Sequence, residues 1–343
     1  MRSISPGVIR QVFILSLIFL IGWLIFREIL PYLSGILGAI TIYVLLRGWM
    51  VKLVQKGWNA DLAAITLLLV SFIGILVPVV AIILMLGNKV GNVVQNFEEV
   101  ARAVQKRLST FEDKVHYDLS SSIDPGAIAN WLSGNLQNFA GGTFNVFISV
   151  GIMYFLLYYM FTNRSQLRES LFEYIPINTD NLKIIGKESQ KMVRSNALGI
   201  PTVAIVQGIV ALIGFLIFGI KDPFFWFVIV TVGSMIPFVG TIIGILPVFI
   251  LTHSSGEIFR AWGILIYGLV IVGSSDNIVR LYVLRKLDNV HPIITLIGVI
   301  VGVPLFGFIG LIFGPLLISL FLIVVQIYKS EYGKPAANGA EEL

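Results

Sequence analysis

Residues 292–327 carry no charged side chain, and the run is punctuated by Pro304, Gly307, Gly310, Gly314 and Pro315. As one straight helix it would extend about 54 Å, against a hydrocarbon core of about 30 Å. Such a run must tilt, break or turn back. It is entered through Ser275, Asp276, Asn277, Ile278, Val279 and Arg280. An interrupted apolar segment beside sparse ionisable groups is where a membrane sequence points to a transport site.

A second run has the same character. Residues 223–252 are charge-free and are interrupted by Gly233, Ser234, Pro237 and Gly240, with Pro247 following. Either half alone is too short to cross a bilayer as a helix. Further apolar runs at 8–26, 29–46, 62–86, 143–161, 197–220 and 261–273 bring the hydrophobic segments to about eight. With 57% hydrophobic and 13% charged residues, the fold class is all-α, a polytopic helical membrane protein with two broken or re-entrant segments. The first run follows Arg2 and Arg10 without a small-residue cleavage site, so it reads as an uncleaved first helix. Arg27 and Glu28 then make a short polar break before the second run.

The polar stretches set the expected sidedness. Arg47, Lys52 and Lys56 lie in a loop without acids, and Arg164, Arg168, Lys183, Lys187, Lys191 and Arg194 fill the segment after the fourth run. Both read as cytoplasmic. The second reads as two amphipathic interfacial helices separated by Pro176, Ile177 and Asn178. Between the third and fourth runs, Val90, Val94, Phe97, Ala101, Val104, Leu108, Phe111 and Val115 form a heptad seam, an extramembrane helical stalk. Its partner is either the helix expected at 126–140, started by Asp124 and Pro125, or another subunit. The expected organisation is N-terminal transmembrane helices at 1–88, an extramembrane insertion at 89–142 and a transmembrane helix at 143–162. Cytoplasmic amphipathic helices at 163–196, a C-terminal transport unit at 197–328 and a disordered tail at 329–343 complete it.

Two topologies follow. If every run crosses once, Arg280, Arg285 and Lys286 lie outside; if 223–252 and 292–327 are re-entrant hairpins, they lie inside. Both place the termini in the cytoplasm, and the positive-inside rule favours the hairpins.

Several function classes are excluded by what is missing. No cysteine is present, so there is no disulfide, thiolate nucleophile or cysteine-held metal. Nothing matches H-E-x-x-H, a P-loop or G-x-S-x-G, which argues against an enzyme and against transport powered by the chain's own ATP hydrolysis. The net charge of +5 is spread over many loops, unlike a nucleic-acid surface. His291 before Pro292 reads as a helix start, and His116 and His253 have no sequence-local partners.

Ile236-Pro237-Phe238-Val239-Gly240-Thr241, Asp276-Asn277 with Arg280, His291-Pro292, and the ending from Phe306 through Gly307, Gly310 and Gly314 to Pro315 resemble the autoinducer-2 exporter family of permeases. The large insertion between the third and fourth helices fits the same family. The resemblance implies export of a small polar molecule; some relatives act instead in sodium/proton antiport. It also implies a homo-oligomer, a pentamer in some members.

The expectation is therefore a secondary transporter in the inner membrane, with a small polar solute or ion and the lipid bilayer as partners, no nucleic acid and no cofactor. Proton or sodium is the coupling ion expected if transport is coupled. Asp276, Asn277, Arg280, Pro237, Gly240, Thr241 and Gln207 are the candidate substrate- or ion-binding residues. Asp276 can bind a cation or accept a proton, or it can simply pair with Arg280 one turn later. Pro304, Gly307, Gly310, Gly314 and Pro315 are the candidate gate or hinge. Close helix packing is the alternative for the glycines, because Gly240/Gly244, Gly298/Gly302 and Gly310/Gly314 are GxxxG pairs. The rival functions are an antiporter with no organic substrate and a membrane scaffold with no flux.

Overall fold

The computed structural model describes residues 6–87, 105, 126, 143–174, 177–236, 239–275, 278–279 and 292–332. All regular structure in them is helical, as expected of a chain that must satisfy its backbone hydrogen bonds internally within lipid. The expected stalk seam at 90–115 and its helix at 126–140 lie outside the described residues, apart from isolated positions.

α1 (Pro6–Ile29), a 3-10 turn at Leu30–Tyr32 and α2 (Leu33–Gln55) run on as one helical stretch, Gly7–Gln55, of 49 residues. This corrects the expected break at Arg27 and Glu28. Both are good helix formers, and Ile29 keeps right-handed helical angles. A rod of about 74 Å exceeds the hydrocarbon thickness of about 30 Å. Pro31 lacks an N–H, so the 3-10 turn is the weakest place for the rod to bend. Every residue of 7–31 is exposed, so α1 is apolar surface on all sides.

α3 (Ala60–Gly87) and α4 (Thr143–Thr162) pack on α2 around Ala39, Ile42, Ala63, Leu67, Leu157 and Phe161. Gly35 lets α2 approach the Ser149 backbone of α4. Tyr158 Oη donates to Asp61 Oδ1 at 3.1 Å and joins the ends of α3 and α4. α5 (Arg164–Tyr174) leaves α4 at 93°, the disposition of a helix lying along a membrane surface.

α6 (Thr179–Ile217) organises the C-terminal half. The Asn178 side chain caps it by accepting from the Asp180 N–H at 3.1 Å. The helix then continues for 39 residues through Pro201, so the boundary expected between residues 196 and 197 falls inside one helix. Pro201 leaves the Ala197 carbonyl without its helical donor. The helix persists because Met192, Asn196, Gly199, Val203, Gln207, Ala211 and Phe215 form one buried stripe with partners along its whole length.

Those partners are two helical pairs. α7 (Pro223–Gly233) and α8 (Val239–Ser254) form the first, and α9 (Ile258–Tyr267) follows, continuing through a π-helical turn at Gly268–Val272. α10 (Pro292–Phe306), a 3-10 turn at Gly307–Ile309 and α11 (Gly310–Tyr332) form the second. α11 thus carries helix four residues into the segment expected as a tail.

Among the described residues five helices are long and apolar enough to cross a membrane, or six if α4 and α5 are taken as one bent span. The expected count of about eight separate segments is not reproduced. α1 and α2 are continuous, and α7 and α8 are each too short to cross. By length and composition Ile293–Lys329 qualifies as a single span. The close contact of Gly302 with Gly310 folds it into two arms that pack on each other.

Candidate functional site between two helical hairpins

The first hairpin closes through small residues. A Cβ at Gly233 would stand 3.1 Å from the Gly240 Cα, Gly240 lies against the Ser234 backbone, and Gly244 lies against Val230. The second hairpin is closer still. Gly298 meets Gly314 and Pro315, while Gly302 meets Gly310 and Gly314, backbone on backbone. Of the two readings of the glycines, packing accounts for Gly240, Gly310 and Gly314.

Gly307 differs from these. It adopts φ +63° at the turn and has open space around it, so its conformation rather than its neighbours requires glycine. Pro304 and Pro315 lie in opposite arms and deprive the carbonyls of Ile300 and Leu311 of their helical donors. Beside this turn a cavity of about 580 Å³ opens between Leu305–Ile309 and the α2–α4 pair at Pro31, Gly35 and Ser149.

α6 receives both hairpins on the same stripe. Gln207 Nε2 donates to Thr241 Oγ1 at 3.0 Å and to the Val272 carbonyl at 3.3 Å. Ser275 Oγ donates to that carbonyl at 2.7 Å. Gly208, next to Gln207, makes room for Thr231 of α7. Lower on α6, Asn196 Nδ2 donates to the Ile312 carbonyl of α11 at 3.0 Å. Met192 and Val193 share a cluster with Phe313 and Leu316.

These contacts fix directions. α7 returns antiparallel to α6 from the short connection at 218–222, so its turn points down the helix. α11 residues beyond Ile312 meet α6 residues before Asn196, so α11 is also antiparallel and its turn points up. The two anchors are about 16 Å apart along α6, with both turns directed into the interval around Pro201.

The interval is rich in polar groups without charge. Gln207 and Thr241 are 4% and 8% exposed. Ser234, at the first turn, and Ser195, just below the Asn196 anchor, have buried hydroxyls with no hydrogen-bond partner among the described residues. Amide, hydroxyl and carbonyl groups in such a place can receive a polar solute or a desolvated ion. Among the described residues no cluster of histidine, aspartate and glutamate could hold a metal.

The structure thus brings Gln207, Gly240 and Thr241 together, although 34 positions separate Gln207 from Thr241. Pro237, Asp276, Asn277 and Arg280 lie outside the described residues. Gly307 sits at the second turn, with Pro304, Gly310, Gly314 and Pro315 in its flanking arms. Sequence reasoning did not single out Asn196, Ser234 or the Val272 carbonyl. Asn196 and Ser234 were visible as polar residues bordering or interrupting apolar runs. The carbonyl is presented by a π-helical turn, for which the flanking Gly268 and Gly273 were the sole and weak signal.

The sequence profile described as AI-2E family transporter matches residues 13–330. Relatives named "Putative transport protein" include one from Mycobacterium tuberculosis, 25% identical over 303 residues, spanning 82% of this chain and 78% of the relative. One from Aquifex aeolicus is 25% identical over 186 residues, 54% of this chain and 52% of its own length. YdiK of Escherichia coli is 28% identical over 152 residues, 44% of this chain and 40% of its own length.

Proposed function

The chain belongs to the AI-2E family of transporters, and from that premise we propose that it is a secondary transporter exporting a small polar molecule across the inner membrane. The reading is carried by one observation: two antiparallel helical hairpins reach the same face of α6 from its opposite ends. Each turn closes one side of the interval around Pro201. Opening one hairpin at a time would expose that interval to one side of the membrane, which is what alternating access requires.

Gln207, Thr241 and the Val272 carbonyl contact the solute from the first side, and the turn at Gly307 moves as the opposite gate. Open space at Gly307 and the cavity beside it support that motion. Asp276, with Asn277 and Arg280, carries coupling to protons or sodium. The C-terminus faces the cytoplasm, and copies of the chain assemble as a homo-oligomer.

Flux of a panel of small polar solutes into proteoliposomes, with and without imposed proton and sodium gradients, tests this reading. Saturable, gradient-responsive flux of an organic solute is expected. Ion exchange without solute flux would replace it with the antiporter, and no flux of either kind would leave a scaffold.

A further inference from the structure

α6 turns one side to the rest of the chain and leaves the other uncovered. Opposite its buried stripe, Lys187, Lys191, Arg194, Leu198, Ile205 and Ile209 are all exposed. At 3.6 residues per turn these six fall within a sector of about 60°. The sector is basic below Leu198 and apolar from there upward. α6 is long and apolar enough to cross a membrane, so the uncovered apolar part of the sector meets acyl chains.

A second helix marks the level of the membrane surface on this side. Arg47, the first charge after the apolar run of α2, donates from Nη1 to Gln190 Oε1 at 2.8 Å. The polar boundary of α2 therefore falls between Lys187 and Lys191 of α6. Arg194, Lys191 and Lys187 lie about 6, 10 and 16 Å below Leu198 along the helix. Their long apolar stems can follow the helix surface and hold each charge at that boundary. The three cations thus stand at headgroup level, directly beneath the lipid-facing stripe.

Acids of the same helix do not neutralise them. Asp180 is paired with Lys183 at 3.0 Å, and Glu188 lies about 100° round the helix from Lys187. Lys187 and Arg194 make no ion pair or hydrogen bond among the described residues. The positive-inside rule accounts for cations on this side of the membrane, but not for their alignment under the lipid-facing stripe. We infer that Lys187, Lys191 and Arg194 bind the phosphate headgroup of an anionic phospholipid of the cytoplasmic leaflet, its acyl chains lying on Leu198, Ile205 and Ile209. Anionic lipids of that leaflet attract basic segments held within a few ångströms of the surface. The inference does not rest on the transport reading, since binding here needs no flux.

Native mass spectrometry of the full-length chain, titrated with phosphatidylglycerol and with phosphatidylcholine of the same acyl chains, tests it. Phosphatidylglycerol is expected to bind saturably and at least about tenfold tighter. Lys187→Gln, Lys191→Gln and Arg194→Gln, all at exposed positions, are each expected to weaken it about fivefold. The triple variant should bind both lipids alike, while Lys221→Gln, beyond the opposite end of α6, should keep the wild-type preference. Competition by inorganic phosphate at matched ionic strength is a second measurement that needs no variant, and the lipid is expected to stay bound. The inference is overturned by equal affinity of the wild type for the two lipids, by an intact preference in the triple variant, or by an equal loss in Lys221→Gln. Displacement by inorganic phosphate would assign the cations to a soluble anion and overturn it equally.

Discussion

Gln207 is the residue on which the first hairpin depends. Its amide joins α6, α8 and α9 at one buried point, through Thr241 Oγ1 and the Val272 carbonyl. Truncation leaves Thr241 and Val272 without that donor in an apolar setting, at a cost of about 1–3 kcal/mol. Gln207→Ala is therefore expected to lower thermal stability in detergent and to depress flux together. Thr241→Val in the same background should add less than it does alone, because the two act through one bond. Asp276 makes a separate prediction. Asp276→Asn is expected to abolish the response of flux to the coupling ion while solute binding by calorimetry remains; undiminished coupling would remove Asp276 from the assignment.

At the scale of the element, the two hairpins owe their closure to different glycine requirements. At Gly302 a Cβ would stand 2.5 Å from the Gly310 carbonyl oxygen, a backbone atom that cannot swing aside. Gly302→Ala should cost about 1–3 kcal/mol through overpacking, read as a lower melting temperature. At Gly307 space is free and only the positive φ objects, so Gly307→Ala should cost about 1–2 kcal/mol. If Gly307 is the moving turn, its substitution changes transport rate more than stability, whereas Gly302→Ala changes stability first. Equal ratios of the two effects in both variants would remove the distinction. The sequence alone shows both interruptions and leaves packing and function as rival explanations of their glycines. It could not divide the glycines between them, because a GxxxG pair looks the same whether it faces a partner or a vacancy. The continuity of α6 through Pro201 was likewise hidden: a proline inside an apolar run announces a weakened helix, and only the buried stripe on both sides shows why it survives.

For the molecule as a whole, composition and run length were enough for a helical, multi-pass membrane protein, and the motif residues were enough for the family. What they could not supply was the partnership. Gln207 and Thr241 were both candidates, but nothing in the order of the chain joins them. The continuous stretch Gly7–Gln55 was missed because Arg27 and Glu28 read as an end, though neither residue disfavours a helix.

Alternating access through these hairpins requires them to enter from opposite sides, with the base of the first outside and the base of the second inside. The natural absence of cysteine makes a direct measurement possible. Single cysteines at Lys221 and Lys329, in intact cells treated with a membrane-impermeant thiol reagent, report the two bases. That arrangement predicts labelling of Lys221→Cys from outside and of Lys329→Cys only after the membrane is opened. Labelling of both from the same side would contradict it.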